Sequence, residues 1–137
     1  MLQDQERIDI VRYRIENAHL TLDEVSSHIE HGYYNTAVNR MYYACFYAVG
    51  ALLITKQITT KTHDGVRQMF SLHYVKTGIV PKEMGRFYSD LFEERCNGDY
   101  EDLFNNDLTT CEELYPQAKE FVAVLTELAE AWLKEQE

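Results

Sequence analysis

The segment 33-YYNTAVNRMYYACFYAVGALLI-54 limits the fold more than any other part of the chain. It is apolar nearly all the way round a helical wheel, and Arg40 is its only charge. A helix of that kind cannot lie on a surface and has to be the central element of a core. Ala37, Ala44, Ala48 and Ala51 form a strip of small residues along which a neighbouring helix can approach closely. With 137 residues, a single domain over 1–137 can bury roughly two-thirds of its unfolded surface, so a real core is available without disulfides.

The flanking segments supply partners for that helix. Ile8, Val11, Ile15, Ala18, Leu22, Val25 and Ile29 recur in steps of three and four, and His31-Gly32 closes this first helix. Leu114, Ala118, Phe121, Leu125, Leu128 and Trp132 repeat the pattern near the C-terminus, with Thr110-x-x-Glu113 read as a capping box and Pro116 as a kink or delay. Residues 62–77 and 83–97 predict two shorter helices separated by Gly78 and Pro81. Val66, Met69, Phe70 and His73 line one of them, Met84, Tyr88 and Leu91 the other, and Gly98 is the expected C-cap of the second. No strand alternation, internal repeat or linker interrupts this series. The fold class is all-α, an up-and-down bundle of about five helices.

Charge narrows the functional classes. The formal net charge is −10, and all of it comes from residues 81–137, because residues 1–80 balance. Bulk electrostatics therefore disfavours nonspecific nucleic-acid binding. Only residues 56–76 lean positive, with Lys56, Lys61, Arg67 and Lys76 against a lone Asp64, so any RNA contact has to be local. The polar start MLQDQERIDI and the absence of an uninterrupted apolar run of roughly 20 residues predict a cytoplasmic chain without a membrane span. Cys45, Cys96 and Cys111 are widely spaced and read as reduced thiols. Glu16-x-x-His19 lacks the second Glu-x-x-His of a carboxylate-bridged metal site, and His28 with His31 lacks a third ligand, so neither metal nor cofactor is expected.

Several residues stand out against this background. Arg95 sits among Glu93, Glu94, Asp99, Glu101 and Asp102 and continues the stripe of Met84, Tyr88 and Leu91. One reading is an i,i+4 pair with Asp99, against which Gly98 argues if the helix ends there. The other is a residue of a site. Arg40 needs an anionic partner, for which Asp99, Glu16 and Asp23 are available, or else it serves as a phosphate-binding arginine at a cleft. Tyr33, Tyr34, Tyr42, Tyr43 and Tyr47 read as core and dimer packing. His63, after Thr60-Lys61-Thr62, begins a helix and either bonds a neighbouring helix or faces a site.

Taken together, 39-NRMYYACFYAVGALL-53, 62-THDGVRQMFSLHYVKTG-78, 95-RCNGDY-100 and 118-AKEF-121 resemble the HEPN family, the small all-α domains of prokaryotic toxin–antitoxin and defence systems. The resemblance spans roughly residues 10–133. It implies a five-helix bundle, commonly a homodimer, often paired with a minimal nucleotidyltransferase. In active members an arginine, four to six intervening residues and a histidine form a metal-independent ribonuclease site. A histidine can take the 2′-hydroxyl proton while the arginine clamps the scissile phosphate. This sequence departs from the pattern, for the histidine's positions are Tyr100, Glu101 and Asp102. A phenol of pKa about 10 and a carboxyl of about 3.9 are both poor bases at neutral pH.

The expected function is thus a dimeric HEPN-fold binding component with a cleft around Arg95, Asp99 and Tyr100, with Arg40 and His63 as binding residues for RNA or a nucleotide. A nucleotidyltransferase antitoxin is the expected partner, and Tyr100 the position at which it would add a nucleotide. Two rivals are an active ribonuclease with a non-standard base, and a non-enzymatic dimer whose acidic C-terminal third docks a basic protein.

Overall fold

A computed structural model describes residues 4–100 and 106–137, with side chains described for 4–95 and 106–137. Among the described residues five α-helices follow one another: α1 (Asp4–Glu30), α2 (Tyr34–Thr55), α3 (His63–Phe70), α4 (Lys82–Tyr100) and α5 (Leu108–Glu135). No strand occurs among the described residues. The α2 helix packs against each of the other four, as its all-round apolar surface requires.

The α1–α2 pair is a helical hairpin. Gly32 makes the reversal, with φ +76° in the left-handed region, and Tyr33 N donates to His28 O at 2.8 Å to close it. Across the hairpin, Val11, Ala18 and Val25 of α1 are wholly buried, as is every alanine of the strip at 37, 44, 48 and 51. The α5 helix lies against both, burying Ala118, Phe121, Val122, Leu125 and Ala129. Phe121 holds the bundle's aromatic centre, stacked on Tyr88 at 5.6 Å and edge-on to Phe70 at 5.8 Å.

Some sequence expectations need correction. The α4 helix does not stop at Gly98 but continues to Tyr100. Glycine permits a left-handed C-cap without imposing one, and within a helix it costs only about 1 kcal/mol. The α5 helix begins earlier than Thr110, because Asp107 is its N-cap and accepts from Thr110 N at 2.8 Å. Pro116 lies inside α5 without ending it. The helix expected over 62–77 is α3 continued by one π-helical turn, Ser71–Val75. Finally, α2 is long and apolar enough, by length and composition, to cross a membrane. Two-thirds of its apolar window is nevertheless buried within the bundle, as a core helix requires.

Candidate functional site

The residues that carry chemistry gather where the first half of α2 meets the start of α3 and the second half of α4. Steps of three and four from Asn35 bring Asn39, Tyr42, Tyr43 and Phe46 to this side of α2. Thr62 caps α3 by accepting from Gly65 N at 2.9 Å, and so fixes the entry of His63, the first residue of that helix. His63 Nδ1 lies 2.8 Å from the Tyr42 hydroxyl, and its ring stacks on Phe46 at 4.4 Å. Tyr42 is wholly buried, stacked on Tyr88 at 5.8 Å. His63 is therefore tied to the core helix and oriented from two sides.

Arg95 reaches the same aromatic group from α4. Its Nε donates to the Tyr43 hydroxyl at 3.3 Å. Its guanidinium carbon lies 5.6 Å from the Tyr42 ring centre and 5.8 Å from that of Tyr43. Arg40 comes to the Tyr43 ring as well, at 5.1 Å, and donates to Asn39 Oδ1 at 3.1 Å. The expected ion pair of Arg40 with Glu16 or Asp23 is not formed. Among the described residues Arg40 has no carboxylate within ion-pair distance. Two guanidinium groups thus share one tyrosine, each drawn to the negative face of an aromatic ring.

Beside Arg95 opens a cleft of about 250 Å³. Asn35, Thr36 and Asn39 of α2 form one wall, Glu94 and Arg95 of α4 the other, and Asn106 closes an end. Asn106 is held there by two bonds to Asn35 Oδ1, from its backbone N at 2.7 Å and its side chain at 3.1 Å. Glu94 has a buried Oε2 with no hydrogen-bond partner among the described residues. Burial raises its pKa above the ordinary carboxylate value, and the negative charges of Asp90 and Glu93 add to the rise. A cation, a carboxyl residue of raised pKa and three amides therefore line one small space.

Of the residues singled out in the sequence, Arg40, His63 and Arg95 come together on the Tyr42–Tyr43 pair. Asp99 and Tyr100 lie outside the residues whose side chains are described. The persistence of α4 through Gly98 does set Arg95 and Asp99 one helical turn apart, so the objection to their i,i+4 pairing falls away. Two further residues escaped the sequence reading. Tyr43 was assigned to packing, although its place three residues after Arg40 puts both on one helix face. Glu94 was counted only among the acidic neighbours of Arg95. Among the described residues no cluster of three or more metal-ligating side chains forms.

The sequence profile of the HEPN domain matches residues 11–128. The chain belongs to the HEPN family. A UPF0332 protein of Thermotoga maritima is 36% identical over 125 residues, covering 91% of this chain and 95% of the relative. Two HEPN relatives in Methanocaldococcus jannaschii, both named as candidate toxins, are 36% and 37% identical over 87 and 86 residues. These matches cover 64% and 63% of this chain, and 59% and 64% of the two relatives. All five helices of the HEPN chain lie wholly or largely within the matched span. The matched span also includes Arg40, Tyr43, His63 and Arg95.

Proposed function

We propose that this chain is the HEPN-fold member of a cytoplasmic toxin–antitoxin-like pair, acting as a homodimer that binds RNA or a nucleotide at the Arg95 cleft. The observation that carries the reading is the seating of Arg40 and Arg95 on Tyr43 beside a polar cleft. Arg40, whose contacts among the described residues are an amide oxygen and that ring, keeps donors for phosphate oxygens. The toxin names of the archaeal relatives support the cellular setting. The partner in this reading is a minimal nucleotidyltransferase. It adds a nucleotide to the Tyr100 hydroxyl from a nucleoside triphosphate, forming a phosphodiester and releasing pyrophosphate.

Three measurements test this. Fluorescence anisotropy with a labelled single-stranded RNA in EDTA, together with a nucleotide titration, should show binding that Arg95→Ala weakens without loss of fold. Light scattering at micromolar concentration should give a dimer mass. Mass spectrometry of the chain after incubation with its partner and nucleotide should place the added mass on Tyr100. Binding that ignores Arg95→Ala, a monomer, or an unmodified Tyr100 would each remove the corresponding part.

A second reading, an active ribonuclease, is favoured by Glu94. Glu94 lines the cleft with Arg95, and its raised pKa makes it a better base than an ordinary carboxylate. In that reaction the 2′-oxygen bonds to phosphorus and gives its proton to Glu94. The bond to the 5′-oxygen breaks, and that oxygen takes a proton from water. Cleavage in EDTA that is lost in both Glu94→Gln and Arg95→Ala, while Glu94→Gln still binds RNA, would establish it. Absence of cleavage by the wild type would leave the binding role alone.

A further inference from the structure

Further along α2, beyond the Arg95 cleft, lies a second cavity of about 190 Å³. Phe46, Leu53, Ile58 and Val66 give it apolar walls, while Thr59 and Thr60 add hydroxyl groups near the chain's positively charged stretch. One charged side chain lines it, Arg14 of α1.

Arg14 differs from Arg7, two turns earlier on the same helix. Arg7 is committed to structure, for it donates to Thr55 O at 2.6 Å, pairs with Asp4 and lies over Trp132 at 5.0 Å. Arg14 donates one hydrogen bond, from Nη1 to Gly50 O at 3.0 Å. A Cβ at position 50 would stand 3.2 Å from that same nitrogen, so a glycine there gives the guanidinium its seat against the backbone. Among the described residues no carboxylate lies within ion-pair distance of Arg14. A guanidinium has five N–H donors, and none of those of Arg14 is both buried and unpaired. The donors not used on Gly50 are therefore open to solvent, on a side chain that lines the cavity.

Energetics favours an anion at this place. Burial lowers the pKa of the half-buried Arg14, which measures the cost of holding the charge there. Guanidinium does not shed its proton at physiological pH, so the cost persists until a counter-charge arrives. The stretch 56–76, which supplies Ile58, Thr59, Thr60 and Val66 to the lining, carries four cationic side chains against one acidic one in sequence, within a chain of net charge −10. The cavity is smaller than the roughly 300–1,000 Å³ of sites for drug-sized ligands. Its size and apolar walls disfavour a nucleotide, and a single lining cation disfavours a phosphate dianion.

We infer that this cavity binds a small carboxylate with a short apolar body, its carboxylate on Arg14 and its body against Phe46, Leu53 and Ile58. The site is distinct from the Arg95 cleft and does not depend on the function proposed for it. Phe46 connects the two regions, since the ring that walls this cavity also stacks on His63.

The test is a titration of the full chain with hexanoate, followed by two-dimensional amide NMR, with hexanol as the uncharged counterpart. Hexanoate should produce saturable shifts centred on Gly50, Thr59 and Thr60, and hexanol should bind at least about tenfold more weakly. Arg14→Gln should weaken hexanoate by about tenfold or more. Because that change also disturbs the bond to Gly50, Ile58→Trp serves as a second variant, filling the cavity while keeping the guanidinium, and should likewise abolish the response. Equal responses to hexanoate and hexanol would overturn the inference. So would a hexanoate response unchanged in folded Arg14→Gln or in Ile58→Trp, or no saturable response up to roughly tens of millimolar. Shifts of these amides with protein concentration alone would do the same, by showing a second copy of the chain in the cavity.

Discussion

Tyr43 holds two cations, so its replacement should weaken ligand binding without removing any charge. Two substitutions separate its hydroxyl from its ring. Tyr43→Phe loses only the acceptor for Arg95 Nε. At 3.3 Å that bond is longer than the usual 2.7–3.2 Å range, so its loss costs at the low end, about 0.5 kcal/mol. Tyr43→Leu also loses the ring, which lies 5.1 Å from the Arg40 guanidinium and 5.8 Å from that of Arg95. Each such contact is worth about 0.5–1 kcal/mol at a partly exposed site. The seating energy removed by Tyr43→Leu is then about 1.5–2.5 kcal/mol. Part of it reappears as weaker binding, because disordered arginines must be ordered again around the phosphate. The expected loss is on the order of 5–30-fold for Tyr43→Leu and about twofold for Tyr43→Phe. The assay is anisotropy of a labelled single-stranded RNA in EDTA across a salt series, with thermal melting as the check on fold. Salt identifies the cause, since each phosphate contact on a single strand contributes about 0.7 to the slope of log affinity against log salt. Tyr43→Leu should leave that slope unchanged, whereas Arg95→Ala should reduce it by about 0.7. Wild-type affinity in Tyr43→Leu, or a slope that falls as it does in Arg95→Ala, would refute the seating argument.

Thr62→Ala removes the N-cap of α3 and should destabilise the chain by about 1 kcal/mol in denaturant unfolding, while loosening the Tyr42–His63 contact. Glu94 has a raised pKa in the folded chain, so its contribution is fully present below the unfolded value near 4.3 and lost as pH rises through the folded one. Glu94→Gln should therefore melt higher than wild type at neutral pH, and the two curves should converge as pH falls below about 4; equal melting at neutral pH would contradict this. Asp107 has its pKa lowered, chiefly by the bond from Thr110 N. Its contribution is present above the unfolded value near 3.9 and lost as pH falls through the folded one, so Asp107→Ala should flatten the acid limb of the stability profile.

The helices were legible because burial on one side of a helix leaves a periodic trace. The α1 stripe and the alanine strip of α2 are buried where that period places them. Features set by a choice between local bonds left no such trace. Asp107 and Thr110 both suit an N-cap, and only the extended backbone of Asp107, at φ −123° and ψ 177°, shows which one serves. The π-helical turn at Ser71–Val75 left no periodic trace either. Half of the site was legible in the same sense. Arg40 stands out as the lone charge of an apolar helix, Arg95 as the continuation of the α4 stripe, and His63 as the start of a helix after Thr60-Lys61-Thr62. Their meeting on Tyr42 and Tyr43 required the crossing of α2, α3 and α4. Glu94 was hidden by its own neighbours, because burial, not composition, distinguishes it from Glu93.

That crossing also explains how an acidic chain can present Arg40 to an anion. A carboxylate partner would hold a guanidinium firmly but would cancel the charge that a phosphate needs, and exchanging one anion for another gains little. A tyrosine face attracts the same cation without bringing a formal charge. Arg40 shows the arrangement most clearly, with an amide oxygen and an aromatic ring as its contacts and no carboxylate within ion-pair distance among the described residues. The acidic C-terminal part of the chain sets a repulsive field around the molecule, and local cations are what an anionic ligand must reach through it. Replacing Asn39 by Asp tests this balance directly, since the new carboxylate would accept from Arg40 in place of the amide oxygen. Melting should change little or rise, because the bond to Arg40 gains charge. RNA affinity should fall with a shallower salt slope, because one cation has been neutralised before the ligand arrives. Undiminished RNA affinity in Asn39→Asp would mean that Arg40 does not serve the ligand, and that Arg95 carries the site alone.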